Sequence, residues 1–185
     1  MPIKDFFKQY KGVRNTIASY WQWYGGWTTF FTSPYLHCAL LLSFFSFPVW
    51  LPKRESCVWY EMPIAVLPNL LGFTLGGYAI LLAFGNEKFL SAIAGSRNDG
   101  KQSPYLTING SFVHFIVVQV IALIVALLSK SLSIDKGTVA FFGLAIFYYA
   151  ILTSLMATFA ILNVSKWFDR YVEIENDKKN SNSPK

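Results

Sequence analysis

Asn69-Leu70-Leu71-Gly72-Phe73-Thr74-Leu75-Gly76-Gly77-Tyr78-Ala79 is the stretch that decides the class of this chain. It lies in a run without charge from Met62 to Gly85, 24 residues. As a helix rising about 1.5 Å per residue, that run reaches about 36 Å, against about 30 Å for the hydrocarbon core of a bilayer. Its small and polar residues, Ala65, Asn69, Gly72, Gly76, Ala79 and Ala83, recur at separations of 4, 3, 4, 3 and 4, so they fall on one stripe of the helix. Lipid has no use for such a stripe. A second helix does, because small residues let backbones approach, and Gly72 and Gly76 form a GxxxG pair.

Composition points the same way. Of 185 residues, 54% are hydrophobic and 14% charged, where soluble domains carry about 25% charge. Aromatic residues make up 18%, suiting a protein with two membrane interfaces to line. The net charge of +6 suits basic cytoplasmic flanks, and no basic patch accompanies a nucleic-acid-binding motif, so no nucleic-acid partner is expected. The first 14 residues interleave Lys4, Lys8, Lys11 and Arg14 with aromatics and lack the apolar core of a signal peptide. The two cysteines, Cys38 and Cys57, are expected at opposite membrane faces and therefore unbridged.

The expected fold is an all-α integral membrane protein with four transmembrane helices and an N-terminal amphipathic interfacial helix. Residues 1–28 form the first segment. Ile3, Phe6, Tyr10, Val13, Ile17, Trp21 and Tyr24 recur every 3 or 4 residues, opposite Lys4, Lys8, Lys11 and Asn15. This reads as a helix on the cytoplasmic membrane surface, with Lys4, Lys8, Lys11 and Trp21 as surface contacts; packing of its apolar face on the protein itself is the other reading. Gly25-Gly26 should end or bend it. The transmembrane domain, 29–164, has spans at about 34–51, 62–85, 111–129 and 139–164. Ser33-Pro34 caps the first, and Pro48 falls in its last turn. A short interfacial helix is expected over 86–95 and a polar loop from Ser96 to Gly110. The cytoplasmic tail, 165–185, is expected to be disordered at its end, from Asn176.

Orientation follows from Lys and Arg. Twelve lie in the N-terminal segment, the 86–110 loop and the tail, against four in the other two loops. Both termini are therefore expected in the cytoplasm, with the chain multi-pass in a cell membrane, the inner membrane if the source is bacterial.

The spans hold no charged residue, which argues against proton-coupled transport and acid–base chemistry in the bilayer. No catalytic residues, cofactor or metal are expected, and the chain reads as a non-enzyme. Span three carries Phe115, Gln119, Ala122, Ala126 and Ser129 on one face, and span four carries Gly143, Ala150, Ser154 and Ala157. The expected helix-packing or oligomer seam thus comprises Gly72, Gly76, Ala79, Ala83, Gly143, Ala150 and Ala157. Asn69 and Gln119 are either interhelical hydrogen bonders or a pore lining. His37 and His114 form a candidate interfacial pair near the inner leaflet, too few for a structural zinc site.

Two functions fit. One is a non-enzymatic oligomeric pore or membrane-permeability effector, a homo-oligomer in contact with membrane lipid. The other is a membrane anchor or sensor subunit that recruits a cytosolic partner protein. Small four-span proteins of bacterial antiviral defence systems use both designs, an analogy of layout without a shared motif.

Overall fold

The computed structural model describes residues 3–51, 58–83, 87–94 and 102–181. Within them the chain forms eight helices: α1 (Ile3–Tyr24), α2 (Gly26–Phe31), α3 (Pro34–Phe45), α4 (Phe47–Trp50), α5 (Glu61–Ala83), α6 (Glu87–Ile93), α7 (Pro104–Ser131) and α8 (Gly137–Ser181). The described residues contain no strand. Three helices, α5, α7 and α8, are long and apolar enough to cross a membrane. They pack on one another, α3 and α4 lie along α8, and the end of α1 lies on α7. The packing leaves Ile121, Ile124 and Leu128 of α7 and Leu41, Phe44 and Phe45 of α3 exposed, bulky apolar surfaces suited to lipid.

The first expected span is not one helix. α3 stops at Phe45 and α4 starts two residues later. Pro48 has no N–H to continue the ladder, and its ring would meet the Phe44 carbonyl. In the first turn of a separate helix the missing N–H costs nothing, and Pro48 sits there. The break is sealed by side chains. Ser46 Oγ donates to the Leu42 carbonyl at 2.8 Å and accepts from the Tyr148 hydroxyl of α8 at 2.8 Å. The Trp50 indole donates to the Ser43 carbonyl at 2.9 Å.

α7 starts earlier than the polar residues suggest. Ser103 Oγ accepts from the Leu106 N–H at 3.3 Å and Pro104 takes the first turn, so Thr107, Asn109 and Gly110 are helical, not loop. α8 is a single helix of 45 residues, about 68 Å long. It carries residues 165–181 with it, including the stretch from Asn176 that was expected to lack structure. Residues 182–185 and Cys57 lie outside the described residues.

The core follows the small-residue faces of α7 and α8. Phe115, Gln119, Ala122, Ala126 and Ser129 are all buried, and so are Gly143, Ala150, Ser154 and Ala157. Gly143 serves a side chain instead of a helix backbone: a Cβ there would overlap the indole of the fully buried Trp59, whose Nε1 donates to the Ile134 carbonyl at 3.1 Å.

Candidate functional site

Three constellations stand out. The first is a polar knot in the middle of the bundle. Gln119 on α7 is fully buried, and its Nε2 donates to Thr74 Oγ1 of α5 at 3.0 Å and to Ser154 Oγ of α8 at 2.9 Å. The two hydroxyls are free to accept because each spends its own proton within its helix, Thr74 on the Leu70 carbonyl and Ser154 on the Ala150 carbonyl. One amide thus ties together all three long helices. Its Oε1 is buried and has no hydrogen-bond partner. Gln119 therefore does not line a pore within the chain; the helices around it close it off.

The second is an aromatic box around His114. The ring stacks on Tyr24 at 3.7 Å between centroids and 15° between planes, with Trp21, Phe30 and Phe115 around it. His114 Nε2 lies 3.0 Å from the Tyr149 hydroxyl, which lies 3.2 Å from that of Tyr24. His114 Nδ1 is buried without a partner. A buried bare acceptor is better tolerated than a buried bare N–H, so the arrangement favours the tautomer that donates from Nε2 to Tyr149. Tyr24 is held where it is by Gly110. A Cβ on Gly110 would lie 2.7 Å from the Trp23 carbonyl carbon and 2.8 Å from the Tyr24 nitrogen, so the backbone of α1 rests directly on that of α7. Burial raises the Tyr24 phenol above its ordinary value, the bond to Tyr149 opposing in part, so it stays neutral at physiological pH.

His37 and His114 stand in different surroundings. α7 begins at Pro104, not Ser111, and His114 is 2% exposed inside this box. His37 is exposed on α3. Among the described residues no group of three or more His, Cys, Asp or Glu is placed to hold a metal. Trp21 likewise packs against Tyr24, Trp27, Phe30 and His114 in place of lying free on a surface. Lys11 is exposed, while the side chains of Lys4 and Lys8 lie outside those described.

The third constellation faces outward. Among the described side chains of α5, those of Pro63, Leu67 and Thr74 are buried. The stripe Ala65, Asn69, Gly72, Gly76, Ala79 and Ala83 is exposed along its whole length. Nothing lies within 4 Å of a Cβ built on Gly72 or Gly76. The seams of α7 and α8 are used inside the chain; that of α5 is not. Protein-family models, curated proteins and solved structures offer no match to this chain. Sequence reasoning found Gln119 and the α5 stripe, but missed Gly110, Tyr24 and Tyr149. The Ser103-Pro104 pair was the available signal, since a helix starting there turns Gly110 into an interior glycine that calls for a packing reason.

Proposed function

We propose that the chain is a non-enzymatic membrane protein that assembles with copies of itself through the outer face of α5 and acts as a pore or permeability effector, a design suited to bacterial antiviral defence. In this reading α3–α4 is a short fourth crossing, α1 lies in the inner interface up to its docked last turns, and both termini are cytoplasmic in the inner membrane. The supporting observation is the exposed α5 stripe. Glycines and alanines facing lipid gain nothing, and an Asn69 amide facing hydrocarbon is costly. A second copy resolves both, and so does pore water on Asn69. The exposed Tyr10, Val13 and Ile17 of α1 support its interfacial placement.

Disulfide trapping tests the assembly. In a background with Cys38 and Cys57 replaced by Ser, cysteine at Asn69 or Gly72 should cross-link copies in native membranes, whereas cysteine at Ile121 on the lipid face of α7 should not. Expression should depolarise the membrane, and Gly72→Leu should abolish both effects with the chain still inserted. Equal cross-linking from all three positions would sink the proposal.

The anchor reading has one observation of its own. α8 continues past the last apolar span residues with Trp167, Val172 and Ile174 exposed, a surface that a cytosolic partner can cover. In that case expression leaves the membrane potential unchanged, and truncation after Lys166 releases a co-purifying protein.

A further inference from the structure

The box around His114 is built for a neutral imidazole. Nε2–H donates to Tyr149, and the Tyr149 hydroxyl in turn bonds that of Tyr24. Nδ1 is buried with no partner, which suits a bare acceptor. A proton on Nδ1 would create a buried N–H without an acceptor and a buried charge without a counter-charge. The Tyr24 ring attracts a cation through its face. It cannot accept from Nδ1, because the two rings are stacked 15° from parallel and an N–H points out in the plane of its own ring.

The titratable groups that face His114 are phenols. Tyr24, with Tyr20 beside it, comes from α1 and Tyr149 from α8. α2 brings Phe30 and α7 brings Phe115. Among the described residues no charged side chain acts on the ring. The charges of α1, α7 and α8 that come nearest along the chain, Arg14, Lys130 and Lys166, are exposed.

Of the walls of the box, that of α1 is the one free to move. α7 and α8 belong to the packed bundle, whereas α1 docks through its last turns and is exposed from Tyr10 to Ala18. Gly25 and Gly26 follow at φ 109° and 69°, so a pair of left-handed glycines joins α1 to α2. Lys130, at the far end of α7, lies sixteen residues from His114. That is about 24 Å of helix against about 30 Å of hydrocarbon. The ring is therefore close to the membrane face on which α1 lies, and it meets headgroups and water once Tyr24 lifts away.

We propose that His114 is a proton sensor: neutral, it holds the end of α1 on α7, and protonated by acid on the α1 side of the membrane, it releases that end. The undocked ring, open to water, takes its proton in the ordinary imidazole range, about pH 6.5. The docked box has no place for one. Docking is therefore at full strength above that range and is lost as the pH falls below it. For one linked proton the docked-to-undocked ratio drops by about tenfold per pH unit. The switch does not rest on assembly through α5.

The test uses the full chain in nanodiscs with Cys38 and Cys57 replaced by Ser. Spin labels go on cysteines at two exposed positions, Gln22 on α1 and Asp169 on α8. Double electron–electron resonance should show one narrow distance at about pH 8 and a second, displaced population growing towards about pH 5. His114→Gln keeps a donor for Tyr149 but takes no proton, and should hold the narrow distance throughout. His37→Asn, at the other, exposed histidine, should leave the acid response as in the parent. It also leaves His114 as the one histidine, so ¹⁵N spectra of histidine-labelled protein read its state with the box unaltered. They should show the Nε2–H tautomer at about pH 8, and imidazolium rising in step with the displaced population. The spectra decide even where His114→Gln fails to dock. A distance that ignores pH overturns the proposal. So does an acid response that survives His114→Gln or vanishes in His37→Asn, or an imidazolium that forms with the distance still narrow.

Discussion

Replacing Gln119 by Leu removes the one side chain that bonds all three long helices, yet it is expected to change stability little. In a membrane, an interhelical hydrogen bond averages about 0.6 kcal/mol and reaches about 1.7. Two such bonds, to Thr74 and Ser154, therefore account for about 1.2 kcal/mol at the average. Their loss leaves no orphaned donor, because both hydroxyls keep donating to their own helices. The substitution also removes the buried Oε1, which has no partner, and an unsatisfied buried polar atom costs about 1–3 kcal/mol. These opposing effects nearly cancel, so Gln119→Leu should fall within about 1 kcal/mol of the parent. Gln119→Ala loses the same bonds but also empties a fully enclosed site, and should cost about 2–5 kcal/mol as buried large-to-small changes do. Reversible unfolding in mixed detergent micelles, followed by Trp fluorescence, measures both. A Leu variant as unstable as the Ala variant would refute the view that packing outweighs the polar knot. Unaltered conduction by Gln119→Leu would also separate Gln119 from any pore, since the knot is sealed within each chain.

Other outcomes follow from the same geometry. Gly110→Val should separate α1 from α7 and expose the chain near Gly25 to protease, because the atoms in the way are backbone and cannot rotate aside; protection equal to the parent would refute the docking. Gly143→Ala should displace the Trp59 indole and cost about 1–3 kcal/mol, read as a lowered Tm and a red-shifted Trp emission. Tyr10→Ser, Val13→Ser and Ile17→Ser together should free the first turns of α1 from liposomes, measured by a dye at the exposed position 12, with the bundle intact. A cytoplasm-active reporter should be active after Lys185 and silent in the 53–61 loop; the reverse pattern would refute the charge-based orientation.

What the sequence made legible was local. The buried face of α7 could be read residue by residue, since Phe115, Gln119, Ala122, Ala126 and Ser129 repeat at helical spacing with bulky residues opposite. The stripe of α5 was equally legible as a stripe, but not its direction. Leu67 and Thr74 form a competing face, and only the positions of α7 and α8 decide which face turns inward. The start of α7 was missed for a different reason. Ser103-Pro104 has the same cap grammar as Ser33-Pro34, but the polar and small residues after it resemble a loop until α1 supplies the backbone that Gly110 accommodates. The box around His114 draws on α1, α2, α7 and α8, and no window of sequence contains it.

The unbroken length of α8 has a mechanical consequence. A helix hydrogen-bonded from Gly137 to Ser181 has no joint between the segment packed on Gln119 and the segment that reaches beyond Lys166. A push or a twist applied near its far end is delivered to Tyr149, Ser154 and Ala157 as the motion of a stiff rod. Because α3, α5 and α7 all bear on that rod, whatever seizes its projecting end holds a handle on the whole bundle.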